Sequence, residues 1–277
     1  MAYWQWGDAT AAHTIVCVHG LTRQGRDFDV LAQALVAASA QPLRVVCPDV
    51  AGRGMSDWLT DPQGYGIPTY ASDMLALLAA LAPQRLDWVG TSMGGLIGLA
   101  VCAHAKSVGV EVRRLVLNDV GPVLQWQSLL RIGTYLGKNM HYPDLEHAAA
   151  ALRLIAHSFG PHSDAQWLEL SRHMVKPDPA GGVRLHYDPS IALVFQSVTQ
   201  ESASQGEAAL WALYDSLTAQ TMLVRGADSD LLSPDTALQM TQRGPCARLV
   251  EIAGVGHAPT LVAPDQVDLL RAFLLEP

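Results

Sequence analysis

Residues 86–99, LDWVGTSMGGLIGL, constrain the chain more than any other stretch. The apolar run Leu86-Asp87-Trp88-Val89 predicts a buried strand, and the small-residue apolar run over 96–105 predicts a buried helix. Between them lies Gly90-Thr91-Ser92-Met93-Gly94-Gly95, with glycine two residues either side of a serine. A strand that turns straight into a helix folds back on itself, so the residues flanking the turn must lack side chains. The serine hydroxyl then stands at the end of the strand. Beneath it lies a helix N-terminus whose free N–H groups and positive partial charge favour a developing anion. A bare Gly-x-Ser-x-Gly occurs by chance; the strand before and the helix after make it an elbow that presents a nucleophile.

The rest of the chain repeats this strand–helix rhythm. The continuous apolar run at 14–18 predicts a strand covered on both faces, and 43–47, 112–117, 221–225 and 247–252 read as further strands. Residues 27–38, 68–81, 235–243 and 264–275 read as helices between them, and Tyr3-Trp4-Gln5-Trp6 as an edge strand. Strand–helix alternation implies parallel βαβ units. It stops over 122–217, where helical periodicity at 145–155 and 165–174 is broken by a turn at 177–182. The expected organisation is therefore a core domain of residues 1–121 and 218–277, with a helical cap of 122–217 inserted. A length of 277 residues and a 49% hydrophobic content suit one large core with an insertion.

Further motifs stand at the ends of the predicted strands. His19-Gly20 follows the first core strand, and Asp49-x-x-Gly52-x-Gly54-x-Ser56 follows the next. Gly254-x-Gly256-His257 follows the last. Together with Gly90-x-Ser92-Met93-Gly94-Gly95, and in this order and spacing, they resemble the α/β-hydrolase superfamily over nearly the whole chain. The resemblance is specific for the fold and weakly specific for substrate, because the fold hosts many chemistries. It implies an α/β-hydrolase fold: a mostly parallel central sheet with helices on both faces and an inserted helical cap.

By this resemblance Ser92 is the nucleophile and His257 the general base and then general acid. The backbone N–H groups of Leu21 and Met93 form the oxyanion hole. Asp49 and the 52–56 turn read as structural. Most relatives carry the triad acid three residues after the glycine that ends the strand beyond the cap. Counted from Gly226, that position is Ser229. Asp230 serves if the loop is one residue longer. Asp119, in Asp119-Val120-Gly121-Pro122, matches the acid-x-x-Pro site of haloalkane and fluoroacetate dehalogenases and some small esterases; Ser229 then becomes a helper bonding the histidine. Both carboxylates stay open as the acid. Haloalkane dehalogenases and epoxide hydrolases need an aspartate at the elbow, so Ser92 points to acyl transfer.

The expected reaction is hydrolysis of a carboxylic ester or thioester of a small, mostly apolar acyl compound through an acyl-enzyme. Trp126, Tyr135, Phe159 and Trp167 of the cap are the candidates to line the pocket. A second reading is carbon–carbon bond hydrolysis of a vinylogous diketone, as in the meta-cleavage hydrolases; Arg23 or Arg131 would then hold an acidic substrate. A third is a non-catalytic small-molecule receptor on the same fold. A net charge of −8 disfavours nucleic acid and anionic membranes as partners. No membrane span is expected, no cofactor is implied, and the ten histidines show no metal-binding spacing. Four cysteines without a CxxC pair read as free thiols, which suits a reducing cytoplasm, and a monomer or homodimer is expected.

Overall fold

Strand β2 (His13–Val18) shows why a core strand can be a continuous apolar run. Successive side chains point to opposite faces. Ile15 and Cys17 enter one buried cluster with Phe28, Leu31 and Leu270, while Val16 and Val18 enter another with Trp88, Ile97 and Leu115. Both faces of the sheet are thus covered.

The structure, a computed structural model, describes residues 1–138 and 140–276. The strands among them are β1 (Tyr3–Gly7), β2, β3 (Leu43–Pro48), β4 (Arg85–Thr91), β5 (Val112–Asn118), β6 (His141–Tyr142), β7 (Val175–Pro177), β8 (Val183–Leu185), β9 (Gln220–Gly226) and β10 (Arg248–Ile252). The helices are α1 (Asp29–Ala38), α2 (Ile67–Leu81), α3 (Met93–His104), α4 (Trp126–Gly133), α5 (Leu145–Ile155), α6 (Asp164–Arg172), α7 (Ile191–Gln196), α8 (Gln200–Asp215), α9 (Pro234–Met240) and α10 (Pro264–Leu275). The main sheet has the order β1-β3-β2-β4-β5-β9-β10 and is parallel except for β1, which is antiparallel to β3. Helices α1 and α10 pack together on one face; α2, α3 and α8 cover the other.

The strand order reverses beside β2, so the carboxyl ends of β2 and β4 bound the crevice where such sheets bind ligands. Val18 pairs with Gly90 in register, which sets the loop after β2 against the elbow after β4. β5 flanks β4 on the other side, and Thr91 pairs with Asn118.

Two local features differ from the sequence pattern. Helix α3 begins at Met93, three residues before the apolar run, because the turn at Ser92 leads directly into it. Between β5 and β9 the chain forms α4–α8 and also a small antiparallel sheet, β6-β8-β7. The turn at 177–182 is its hairpin loop, with Asp178 N–H donating to Gly182 O at 3.0 Å. Strands of two or three residues are too short to show alternation. All four cysteines are free, Cys17 and Cys47 buried and Cys246 exposed. No helix among the described residues is long and apolar enough to cross a membrane.

Candidate active site

Ser92 sits at φ 52° and ψ −116°, in a region that residues with a Cβ avoid. The turn closes only because its neighbours are glycine. A Cβ on Gly94 would lie 2.0 Å from Val18 O, and one on Gly90 would lie 2.3 Å from Gly94 O. Ser92 N–H donates to Asn118 O at 2.9 Å, and Ser92 O accepts from Gly95 N at 2.8 Å to open α3. The hydroxyl is left facing out from the carboxyl edge of the sheet.

His257, in the loop after β10, meets that hydroxyl: its Nε2 lies 2.9 Å from Ser92 Oγ. Its Nδ1 lies 2.7 Å from Asp119 Oδ2. An ionised carboxylate only accepts, so Nδ1 carries the proton and Nε2 accepts from the serine O–H. Asp119 follows β5 directly, at φ 56°, with its N–H on Val224 O at 2.7 Å. Its side chain is fully buried. Three donors satisfy it: Gly226 N–H on Oδ1 at 2.9 Å, and the Ser229 hydroxyl at 2.6 Å and His257 on Oδ2.

Of the two candidate acids, only Asp119 is brought to His257. The Asp230 carboxylate is half-exposed and accepts from Arg131 Nε and Nη2 at 2.8 and 3.0 Å. Partial burial alone would raise its pKa, but the hydrogen bond and charge of Arg131 hold it below the usual value. Asp230 faces the helix α4 because Ser229, one residue earlier, turns inward to Asp119. The expectation that Ser229 bonds the histidine is corrected in the same way: its partner is the carboxylate behind the histidine.

The loop after β2 faces the elbow. His19 is fully buried and accepts Val50 N–H on Nε2 at 3.0 Å, so its Nδ1–H donates to Gly20 O at 2.7 Å. Burial pushes its pKa down to about 3. Asp49 ties the loop after β2 to the loop after β3: it accepts from Gly25 N at 2.8 Å and Met55 N at 2.9 Å. The Leu21 N–H has no acceptor among the described residues, and Met93 N–H opens α3, where a helix has no internal partner for it.

A cavity of about 110 Å³ opens above Ser92 and His257. Leu21, Ile132, Tyr135, Leu152, Ile155, Phe159, Trp167 and Met174 give it apolar walls. Phe159 and Trp167 stack with ring centroids 6.2 Å apart. Trp126 is not part of the lining, contrary to expectation. It heads α4, and at 100° per residue it is turned about 140° from Arg131 and about 120° from Ile132, which do line the cavity. Arg23 and Arg131 reach the cavity wall, but each is held by an aspartate: Arg23 Nε and Nη2 lie 2.6 and 2.7 Å from Asp27. Sequence reading missed Ser158. Its Oγ donates to His257 O at 2.9 Å and its carbonyl accepts Gly256 N–H at 2.6 Å, so it braces the histidine loop from above. No local motif marks it. No group of three or more His, Cys, Asp or Glu side chains among the described residues is placed to hold a metal ion.

Comparison with known proteins places this geometry in a family. The alpha/beta hydrolase family profile matches residues 15–268. The 3-hydroxybutyrate-oligomer hydrolase of Cupriavidus necator is 47% identical over 276 residues, covering 99% of this chain and 92% of that protein. The crystal structure of an alpha/beta hydrolase from Novosphingobium aromaticivorans superposes with a TM-score of 0.85 at 32% identity, covering 98% of this chain and 92% of that one. The 2-hydroxymuconate semialdehyde hydrolase of Pseudomonas putida is 26% identical over 223 residues, covering 79% of this chain and 72% of that protein. With a profile match over most of its length and a relative of this identity, the chain belongs to the alpha/beta hydrolase family.

Proposed function

We propose that this hydrolase cleaves carboxylic esters of small hydroxyacyl or acyl groups through an acyl-enzyme on Ser92. The observation that carries the reading is the continuous hydrogen-bond chain Ser92 Oγ–His257–Asp119, opening into an apolar cavity. Ser92 Oγ attacks the ester carbonyl as His257 Nε2 takes its proton. Asp119 stabilises the imidazolium that forms and holds the ring in the required tautomer. The tetrahedral oxyanion is met by the N–H groups of Leu21 and Met93, each donor contributing roughly 2.7–4 kcal/mol of barrier reduction. His257 then returns the proton to the leaving alcohol, activates water, and the acid is released. Residues 122–217 act as the cap that walls the acyl pocket, with Phe159, Trp167 and Tyr135 as its aromatic lining.

The similarity to a protein named as a 3-hydroxybutyrate-oligomer hydrolase supports short hydroxyacid oligomers as the substrate class. Each link in such an oligomer is a carboxylic ester of a four-carbon acyl unit, compatible with a small apolar cavity. Carbon–carbon hydrolysis of a vinylogous diketone gains support from the Pseudomonas putida relative but less from the site, where Arg23 and Arg131 are already paired with Asp27 and Asp230.

The test compares wild type with Ser92→Ala on p-nitrophenyl butyrate, on the linear dimer of 3-hydroxybutyrate and on a vinylogous diketone. Wild type is expected to cleave both esters and the variant neither. A fluorophosphonate adduct should map to Ser92 by mass spectrometry. Wild-type rates in pure Ser92→Ala, or an adduct elsewhere, would overturn the serine mechanism. Turnover of the diketone alone would replace the ester reading, and binding of the dimer without cleavage would point to a receptor.

A further inference from the structure

Arg53 is the most deeply buried of the interior arginines, fully excluded from solvent. Its guanidinium has four contacts. Nε donates to Leu21 O at 2.8 Å, Nη1 to Ala51 O at 2.7 Å and to Tyr70 Oη at 2.8 Å, and Nη2 lies 3.6 Å from Met93 Sδ. Its positive charge faces the rings of Tyr65 and Tyr70, at 5.8 and 5.0 Å from their centroids, and no carboxylate is among its hydrogen-bond partners. Burial lowers its pKa, and an arginine nonetheless stays protonated in a protein. A site that needed only filling would be served better by an apolar side chain, because a buried charge without an ion-pair partner is costly.

Leu21 and Met93 are the two residues whose N–H groups meet the oxyanion in the mechanism proposed above. Arg53 touches both. The peptide that carries the Leu21 N–H is gripped on one side through Gly20 O, by His19 Nδ1 at 2.7 Å and Arg23 N at 3.1 Å. Arg53 grips the next peptide through Leu21 O. The two planar units flank one Cα, so fixing both carbonyls fixes the direction of the N–H between them. The same guanidinium presses on the Met93 side chain at the first residue of α3. Arg53 is itself strapped in place: Gly54 N–H donates to His186 O at 3.1 Å, and Asp188 N–H to Gly52 O at 2.7 Å.

We infer that Arg53 is a positioning residue of the oxyanion hole, a single planar fork that sets the Leu21 and Met93 donors relative to Ser92. The inference rests on the serine-hydrolase reading. Lysine cannot replace it, because an ammonium on a flexible stem cannot span the Leu21 carbonyl, the Ala51 carbonyl and the Met93 sulfur at once.

The experiment measures kcat and KM for p-nitrophenyl butyrate, and the affinity of a short alkyl trifluoromethyl ketone, in wild type, Arg53→Met and Arg53→Lys. Ser92 Oγ adds to the ketone carbon, its proton passes to His257 Nε2, and the resulting oxyanion occupies the hole. In folded Arg53→Met, kcat should fall by about 100-fold with little change in KM, the size of loss expected when a reacting geometry shifts by about 1 Å. Ketone affinity should fall by the same factor as kcat/KM, and Arg53→Lys should not restore either. Tyr214→Phe, which removes a buried hydroxyl bonded to Met240 O at 2.5 Å and touches neither Arg53 nor its strap, should lower the melting temperature and leave kcat unchanged. A folded Arg53→Met with wild-type kcat, a loss confined to KM, or ketone affinity that does not follow kcat/KM overturns the inference. If Arg53→Met does not fold, Tyr70→Phe carries the test: it removes one acceptor of Arg53, and kcat should fall severalfold at constant KM; unchanged kcat overturns the inference equally. Activity surviving in Ser92→Ala would defeat the underlying mechanism instead, and is read separately.

Discussion

Ser229 donates its hydroxyl hydrogen to Asp119 Oδ2 at 2.6 Å, the same oxygen that faces His257 Nδ1 at 2.7 Å. The serine in turn accepts the N–H groups of Leu231 and Leu232 at 3.3 and 3.2 Å. The loop after β9 is therefore tied to a carboxylate at the end of β5. With Gly226 N–H on the other oxygen, the buried carboxylate is fully bonded and cannot rotate. The histidine is aimed at Ser92 by a group that two neighbouring strands hold together.

The acid prediction follows from that arrangement. Asp119→Asn would put an amide where Nδ1–H needs an acceptor, favouring the tautomer whose Nε2 cannot take the Ser92 proton. Turnover of p-nitrophenyl butyrate should drop by roughly 10⁴, the size seen for an Asp→Asn change in a serine-protease triad. Asp230→Asn should lose less than about tenfold, because its partner Arg131 is a half-exposed surface cation. A large loss in Asp230→Asn beside a small one in Asp119→Asn would reverse the assignment.

Acyl-length preference should depend on Phe159 and not on Trp126. Phe159 lines the cavity over Ser92 and stacks on Trp167, whereas Trp126 is not among the lining residues. In a p-nitrophenyl ester series, Phe159→Ala should shift the optimum to longer acyl chains, with kcat/KM for the longest rising relative to acetate. Trp126→Ala should leave the profile in place and reduce stability by about 1 kcal/mol or more, the common size for a truncation. An identical profile in both variants would mean that Phe159 only packs.

The elbow and the five core strands were legible because strand, turn and helix each leave a local mark: an apolar run, paired glycines, a small-residue run. Which carboxylate meets His257 was not, because Asp119 and Asp230 each follow a strand and the choice depends on β5 lying beside β9, a pairing between residues about a hundred positions apart. Trp126 misled for a simpler reason: composition identifies an aromatic in α4, but only the helix phase says which way it faces. Arg53 lay in plain view within Gly52-x-Gly54, yet the motif reads as a turn. Its burial follows from Tyr65, Tyr70 and the 186–188 strap closing over it, none of which is local.

Acid stability should carry the signature of His19. Its imidazole is neutral in the folded protein because burial holds its pKa at about 3, while the unfolded chain titrates at about 6.5. The unfolded state therefore binds the proton first as pH falls. The stability tied to the neutral ring is complete above about pH 6.5 and is lost progressively down to about pH 3. Near pH 5 the loss from this one group is about 2 kcal/mol. His19→Gln keeps an N–H donor and an oxygen acceptor but cannot titrate. Urea unfolding at pH 7.5 should find the variant less stable than wild type, since a flexible amide does not reproduce the fixed spacing of the two ring nitrogens that bond Gly20 O and Val50 N. At pH 5 the gap should narrow by about 2 kcal/mol, because the other histidines are common to both proteins and cancel in the comparison. A gap that stays constant between the two pH values would show that His19 is not held neutral, and that the loop bearing Leu21 is anchored by some other means.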